Sequence, residues 1–226
     1  LTATVTHELR NPLGTMRTSI YLLRQKDDGN DPKTTAAIER IERNVVRCDT
    51  IIDELLDFTR IRPVEFQHLL LDAWLDDLLD EQQAVNGVEV VRDFGADAVR
   101  VHIDPERLRR AVINLYDNAA QAMTAMEGSE GLTVRKLTVQ TRSSGNNAEI
   151  IISDTGIGIA EEVLEQVFEP MFSTKGFGVG LGLPVVRKIA EEHHGSVRII
   201  NNNCGGTQAT LALPLCIPAA DIGGKT

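Results

Sequence analysis

Residues 6–13 read "THELRNPL" and set a histidine beside a carboxylate, on what the surrounding spacing predicts to be a helix. An imidazole nitrogen without a proton is a nucleophile near neutral pH, and an adjacent carboxylate can take up or orient the other ring proton. His7 and Glu8 are therefore a candidate nucleophile and base. Val5, Leu9, Leu13, Met16, Ile20 and Leu23 recur every three or four residues and mark one apolar side. His7 is two positions from both Val5 and Leu9, which turns it to the opposite side, where Asn11, Gly14 and Thr18 follow. Pro12 removes an N–H that would have bonded the Glu8 carbonyl, so a bend or loosening is expected beside the reactive group.

Three further clusters could meet one ligand, two through its anionic groups and one through an amine. Asn114 and Asn118 lie four apart on one helix face, where carboxamide oxygens can meet a hard cation and, through it, phosphate oxygens. The same pair could simply face solvent. "DTGIGI" at 154–159 follows the apolar run "EIIIS", so Asp154 sits at a strand end where it could accept from an exocyclic amine such as that of adenine. Gly156 and Gly158 would allow close backbone approach, although turns use such residues for steric reasons alone. Then "GFGVGLGL" places Gly176, Gly178, Gly180 and Gly182 alternately ahead of a predicted helix, which makes an anion site by geometry. Lys175 adds a movable positive charge. The run matches neither the P-loop nor the dinucleotide glycine pattern.

The elements that must position these groups fall into two parts. Residues 1–60 are helical in period: Ile38, Ile41, Val45, Cys48, Ile52 and Leu55 continue the seam of the first segment. "DDGNDP" breaks it, with Asp31 as cap and Pro32 at the first position of the second helix. Two helices expose too much seam to stand alone, so the expectation is a homodimer closing a four-helix bundle, the alternative being that the seam packs on the rest of the chain. "RIRPVEF" interrupts the period. Beyond it, "DAWLDDLLDEQQAV", "DPERLRRAVINLYDNAAQAM" (capped by Asp104) and "LPVVRKIAEEHH" read as helices. "VEVVRDF", "VRVHI", "KLTVQTR", "AEIIISD", "SVRIINN" and "TQATLALPL" read as strands, with a four- to five-residue hairpin turn at "SSGNN". The fold class is α+β: an N-terminal antiparallel helical hairpin, then an α/β sandwich.

"HELRNP", "NLYDNAAQA", "DTGIGI", "FEPMFSTK" and "GFGVGLGL", in this order, resemble the histidine, asparagine, first glycine, phenylalanine and second glycine boxes of bacterial two-component sensor histidine kinases, in a form similar to the nitrogen-regulatory branch. The resemblance runs from Thr6 to about Pro214. It implies a dimerisation and histidine-phosphotransfer domain at 1–62, a linker at 63–66, a GHKL-type catalytic ATP-binding domain at 67–216 and a loose tail at 217–226. It implies that His7 attacks the γ-phosphate of ATP, with Glu8 assisting and Asn11 placed for dephosphorylation of the partner. Asn118 and Asn114 would hold Mg²⁺, Asp154 would read adenine, and Gly156 and Gly158 would admit the nucleotide. Lys175, Gly176, Gly178, Gly180, Gly182 and Leu183 would form the lid over the phosphates, with Phe168 and Phe172 packing it. Many relatives carry lysine where this chain has Gln121, so phosphate contacts would lean on Lys175 and backbone. The implied partner is a response regulator, met near Gly14, Thr18 and Tyr21.

The implied reaction is autophosphorylation of His7 followed by transfer to a regulator aspartate. Two readings compete: a dimeric ATP-binding scaffold or phosphatase, and another GHKL ATPase of the chaperone or repair type. The His7 hairpin argues against the latter.

Composition agrees with these classes. The 226 residues are 42% hydrophobic and 25% charged, with a net charge of −10 that disfavours nucleic acid and anionic membrane surfaces. Three scattered cysteines suggest neither a disulfide framework nor a zinc site, which fits a reducing cytoplasm. No apolar run approaches the ~20 residues of a membrane span, so membrane attachment would come only through an N-terminal region missing from this chain. His68, His102, His193 and His194 are assigned no site, the last two being read as helix-end residues with Gly195 as cap. The acidic run Asp72, Asp76, Asp77, Asp80 and Glu81 is expected to be a solvated helix face.

Overall fold

The computed structural model describes residues 13–14, 16–18, 20–21, 23–24, 32–59, 63–82, 87–96, 99–124, 135–170, 172, 180–202 and 205–216. The chain forms two compact units, Leu1–Arg62 with Pro170–Leu181, and Pro63–Glu169 with Gly182–Thr226.

In the first unit the described residues between 13 and 24 are helical, and α1 spans Pro32–Thr59. Pro32 opens α1 because its fixed φ and missing N–H cost nothing at a first helical position. The apolar seam splits into two lines of sevenfold spacing. Leu13, Ile20, Ile38 and Val45 pack into one cluster, and Ile52 continues the buried line. Met16, Leu23 and Ile41 form the other line and are 52%, 55% and 44% exposed.

The second unit contains β1 (Gln67–Leu70), α2 (Leu71–Asp80), β2 (Glu89–Gly95), β3 (Arg100–Ile103), α3 (Pro105–Thr124), β4 (Lys136–Ser144), β5 (Asn147–Asp154), a 3-10 turn (Glu161–Val163), α4 (Gly182–Glu192), β6 (Ser196–Asn201) and β7 (Thr207–Pro214). Five strands make one sheet in the order β2-β4-β5-β7-β6, parallel between β2 and β4 and antiparallel elsewhere. Alternation along the strands decides which face is apolar. Leu137, Val139, Ala148, Ile150, Ile152, Leu211 and Leu213 are buried on the face covered by α3 and α4. Those helices supply Leu108, Val112, Leu115, Val186 and Ile189 to the same core. Each such side chain contributes about 1.5–3 kcal/mol when fully buried. The expected α+β class and sandwich hold.

Several expectations need correction. The hairpin turn is two residues long, Gly145 and Asn146, with Ser144 paired to Asn147. Gly145 has φ +59° and Asn146 does not share that sign, the type II′ arrangement that matches strand twist. Strand β1 has no signal in the sequence, since "QHLL" does not alternate, and it forms by antiparallel pairing with β3. Helix α2 stops at Asp80, short of the expected 85, since its buried side ends at Leu79 and "DEQQ" offers nothing apolar to hold another turn. The acidic run is the expected solvated face at Asp76, Asp77, Asp80 and Glu81, which are exposed, but several of its members also hold partners. Asp72 accepts from the Thr141 hydroxyl at 2.6 Å and the Ala96 N–H at 3.1 Å. Asp76 and Asp80 hold Arg92, and Glu81 holds Arg109. The two aspartates raise the Arg92 pKa by accepting from its guanidinium.

The end of α4 differs as well. His194, not Gly195, takes the left-handed conformation, at φ 56°. Its N–H returns to Glu191 O at 2.9 Å and that of Gly195 to Ala190 O at 2.8 Å, the Schellman pattern. Gly195 is needed for another reason: a β-carbon there would collide with the Ala212 carbonyl.

Candidate functional site

Helix α3 is the frame of the site. Asp104 caps it, its Oδ1 accepting from the Arg107 N–H at 3.1 Å, and Pro105 follows as the first helical residue. Burial of Leu108, Ala111, Val112, Leu115, Ala119 and Met123 fixes the rotation of α3 about its axis. That rotation leaves Asn114 and Asn118 half-buried at one edge and Gln121 exposed. Tyr116 is buried on the core side. Burial there pushes its phenol pKa up, Asp117 adds to the shift, and Arg92 opposes it.

The two asparagines meet the start of α4. A β-carbon on Gly182 would lie 3.8 Å from Asn114 Oδ1 and 4.0 Å from Asn118 Nδ2. No acidic residue stands in the first turn of α4, whose N–H groups form the positive end of the helix beside the carboxamides. Leu183 is half-buried in that turn.

One helical turn beyond Asn118, Ala122 receives the glycine loop. A β-carbon on Gly156 would come within 2.8 Å of the Ala122 backbone, so only glycine permits this approach. Asp154 ends β5 and is 5% exposed. Its Oδ1 accepts from the N–H of Gly156 at 2.8 Å and of Thr207 at 3.2 Å. Gly158, at φ +72°, lies against Asn201. Asn201 in turn clasps the Ile159 backbone through both N–H and C=O, at 2.8 and 2.6 Å.

Thus Asn114, Asn118, Gly182, Asp154 and Gly156 converge around α3 within one unit. Gly180, at φ +71°, belongs to the other unit, where a β-carbon would strike the Phe172 carbonyl. Phe168 is buried, and the Arg187 guanidinium sits 4.3 Å over its ring, a packing contact within the sheet-bearing unit. His7, Glu8, Asn11, Lys175, Gly176 and Gly178 lie outside the described residues.

Sequence reasoning passed over the support behind Asp154. Asn202 donates to its carbonyl at 3.2 Å, and Gly206, at φ +84°, passes so close to that carbonyl that a β-carbon would collide with it. The signal available was "NNNCGGT", a turn too rich in asparagine and glycine for a plain β connection.

The carboxamides fit a hard cation that completes its shell with phosphate oxygens. Among the described residues no group of three or more histidine, cysteine, aspartate or glutamate side chains could hold a metal ion, so no carboxylate cage competes with that arrangement.

Comparison with known proteins gives the family. Residues 103–217 match the histidine kinase-, DNA gyrase B-, and HSP90-like ATPases. The chain belongs to that family. Residues 1–63 match the His Kinase A phospho-acceptor domain, so the two in tandem make this chain the core of a two-component sensor histidine kinase. The sensor histidine kinase ZraS of Escherichia coli strain K12 is 32% identical over 225 residues, covering 98% of this chain and 46% of ZraS. The kinase core thus spans about half the length of such curated relatives. Full-length ShkA, solved in complex with AMPPNP, shares the fold at TM-score 0.74 and 18% identity, over 95% of this chain and 45% of that one. Histidine kinase ThkA, solved with the response regulator protein TrrA, aligns at TM-score 0.65 and 26% identity over 94% of this chain and 60% of that one. No helix among the described residues is long and apolar enough to cross a membrane.

Proposed function

We propose that this core is an ATP-dependent protein-histidine kinase that phosphorylates its own His7 and hands the phosphoryl group to an aspartate of a response regulator. The observation that carries the reading is the convergence on α3 of a buried, backbone-wired carboxylate and two carboxamides facing a helix N-terminus. That arrangement suits a purine with an exocyclic amine at one end and a polyphosphate at the other.

In this reading Asp154 accepts from the adenine amine, while Gly156 and Gly158 let the loop approach the base. The turn of Gly182 and Leu183 offers N–H groups to phosphate, and Lys175, Gly176, Gly178 and Gly180 close over it. Asn118 and Asn114 hold Mg²⁺. When bound, that ion neutralises charge developing on the phosphate oxygens. Gln121 donates a neutral hydrogen bond where a charge would be stronger. The unprotonated nitrogen of His7 forms the new N–P bond as the bond from phosphorus to the ADP oxygen breaks, and Glu8 takes the proton from the other ring nitrogen. Such transfer is dominated by positioning and electrostatics.

The exposed line Met16, Leu23 and Ile41 supports a homodimer, because a second copy can cover it with the same line. Gly14, Thr18 and Tyr21 are exposed at spacings of four and three, which supports regulator docking on that side of the hairpin. Asn11 supports a dephosphorylating activity toward the same partner. Use of ATP and of a regulator supports a cytoplasmic location for the core.

The test is phosphate incorporation from γ-labelled ATP with Mg²⁺, in wild type and His7→Gln. Acid-labile label in wild type alone, with ATP affinity of the variant within about twofold, is the expected result. ATP binding without label in wild type would favour the scaffold or phosphatase reading.

A further inference from the structure

The short stretch 63–66 ends on a group of side chains that the proposed chemistry does not use. The Glu65 N–H donates to Asp104 Oδ2 at 2.9 Å, and Asp104 is itself 6% exposed. The Asp104 N–H donates to His193 Nε2 at 2.9 Å, and His193, at the end of α4, is 2% exposed. His193 Nδ1 lies 2.7 Å from the Ile189 carbonyl. A ring that accepts at Nε2 carries its hydrogen on Nδ1, which donates to the carbonyl, so both ring nitrogens are hydrogen-bonded. Phe66 sets its ring edge-on to His193 at 5.4 Å and stacks on His102 at 4.8 Å. His102 in turn stacks on His68, its partner across β1 and β3, at 4.4 Å. Arg107 closes the group by pairing with Glu192.

These contacts join the segment to both helices of the candidate site. Helix α3 starts at the Asp104 cap and carries Asn114 and Asn118. Helix α4 starts at Gly182 beside those asparagines and ends against His193, about 16 Å away along its axis. The two ends of one short rigid element therefore serve the nucleotide site and the segment that follows the hairpin.

We propose that Phe66, Asp104 and His193 form a clamp that makes residues 63–66 part of the ATP-binding unit, and that His193 is a positioning residue for phosphoryl transfer to His7. This rests on the autokinase reading above. A chain free to pivot at 63–66 would spread the bound ATP over many orientations, whereas transfer needs the reacting atoms within about 3–3.5 Å. The clamp moves the pivot to the N-terminal side of Pro63 and narrows that spread, without His193 touching nucleotide.

The test uses the whole chain as wild type, Phe66→Ala, Phe66→Tyr and His193→Gln. Three quantities are read: exchange of the Glu65 amide with deuterated solvent, equilibrium ATP affinity, and the labelling rate of His7 at saturating ATP. The expected result is a slowly exchanging Glu65 amide in wild type that opens in Phe66→Ala and His193→Gln. ATP affinity should stay within about twofold while the labelling rate falls roughly ten- to a hundredfold. Phe66→Tyr, which keeps the ring, should restore both. An unprotected Glu65 amide in wild type would refute the clamp. Opening without loss of rate, or rate and affinity falling together, would refute the positioning role. Absence of label in wild type with a protected Glu65 amide would sink the autokinase reading, and the positioning role with it, leaving the clamp as a joint only.

Discussion

Replacing Asp154 by asparagine tests the hydrogen bond proposed to the adenine amine. A carboxylate offers about four acceptor sites, and one oxygen of Asp154 takes the Gly156 and Thr207 N–H groups. Asparagine retains one oxygen for those two donors, so the turn that closes on Asp154 keeps its anchor. The other oxygen becomes an amide NH₂, and facing an exocyclic amine it sets donor against donor. Loss of a hydrogen bond to a charged acceptor costs about 1.5–3 kcal/mol. At about 1.4 kcal/mol per tenfold, that raises the ATP dissociation constant roughly 10- to 150-fold, and the unpaired donor pushes it toward the upper end. Titration calorimetry with ATP and Mg²⁺ measures the change, and a thermal melt confirms that the variant is folded. Purine riboside triphosphate, which lacks the exocyclic amine, provides the control. Wild type should lose affinity for it by a comparable factor, and Asp154→Asn should bind ATP no better than the analogue. Binding of ATP by Asp154→Asn within about twofold of wild type would refute the assignment. So would equal discrimination against the analogue by both proteins.

Ile41→Asp places a charge in the exposed line of the hairpin and should shift the chain from dimer to monomer in sedimentation equilibrium; an unchanged mass would show that this line is not the dimer seam. Tyr116 affects alkaline stability. Its folded pKa is raised, so as pH climbs past the ordinary tyrosine value of about 10 the unfolded chain loses the proton first, and stability falls until the folded value is reached. Tyr116→Phe should therefore lower the melting temperature less between pH 9.5 and 11 than wild type does, those bounds being approximate, bracketing the ~10 of free tyrosine; parallel curves would rule out this residue as the cause.

Much of the second unit was legible residue by residue. The Asp104–Pro105 helix start, the buried alternation of β4 and β5, and the glycines of the Asp154 loop are consequences of local sterics and period. The seam of residues 13–52 was legible as a seam, but not its division into a buried and an exposed line. That division depends on which helix each sevenfold row meets, and both rows are equally apolar. The histidines show the opposite limit. His68, His102 and His193 sit in ordinary stretches of strand and helix, with no spacing that marks them. Their stacking and hydrogen bonds follow from strand β3 lying beside β1 and from the end of α4 reaching Asp104, 89 residues back in the chain.

By itself the sequence determined the chemistry this chain carries: a histidine beside a glutamate, paired asparagines, and an aspartate and glycines at turns. Those motifs are short because each works through neighbours along one helix or one turn, and so they read in one dimension. The tertiary structure alone decided how they are held. Asp154 takes its second N–H from Thr207, 53 positions later, through the register of β5 on β7. Asn118 meets Gly182 only because α3 and α4 bury their apolar sides against the same sheet. Contacts of this kind arise from packing between distant elements, and no local period encodes them.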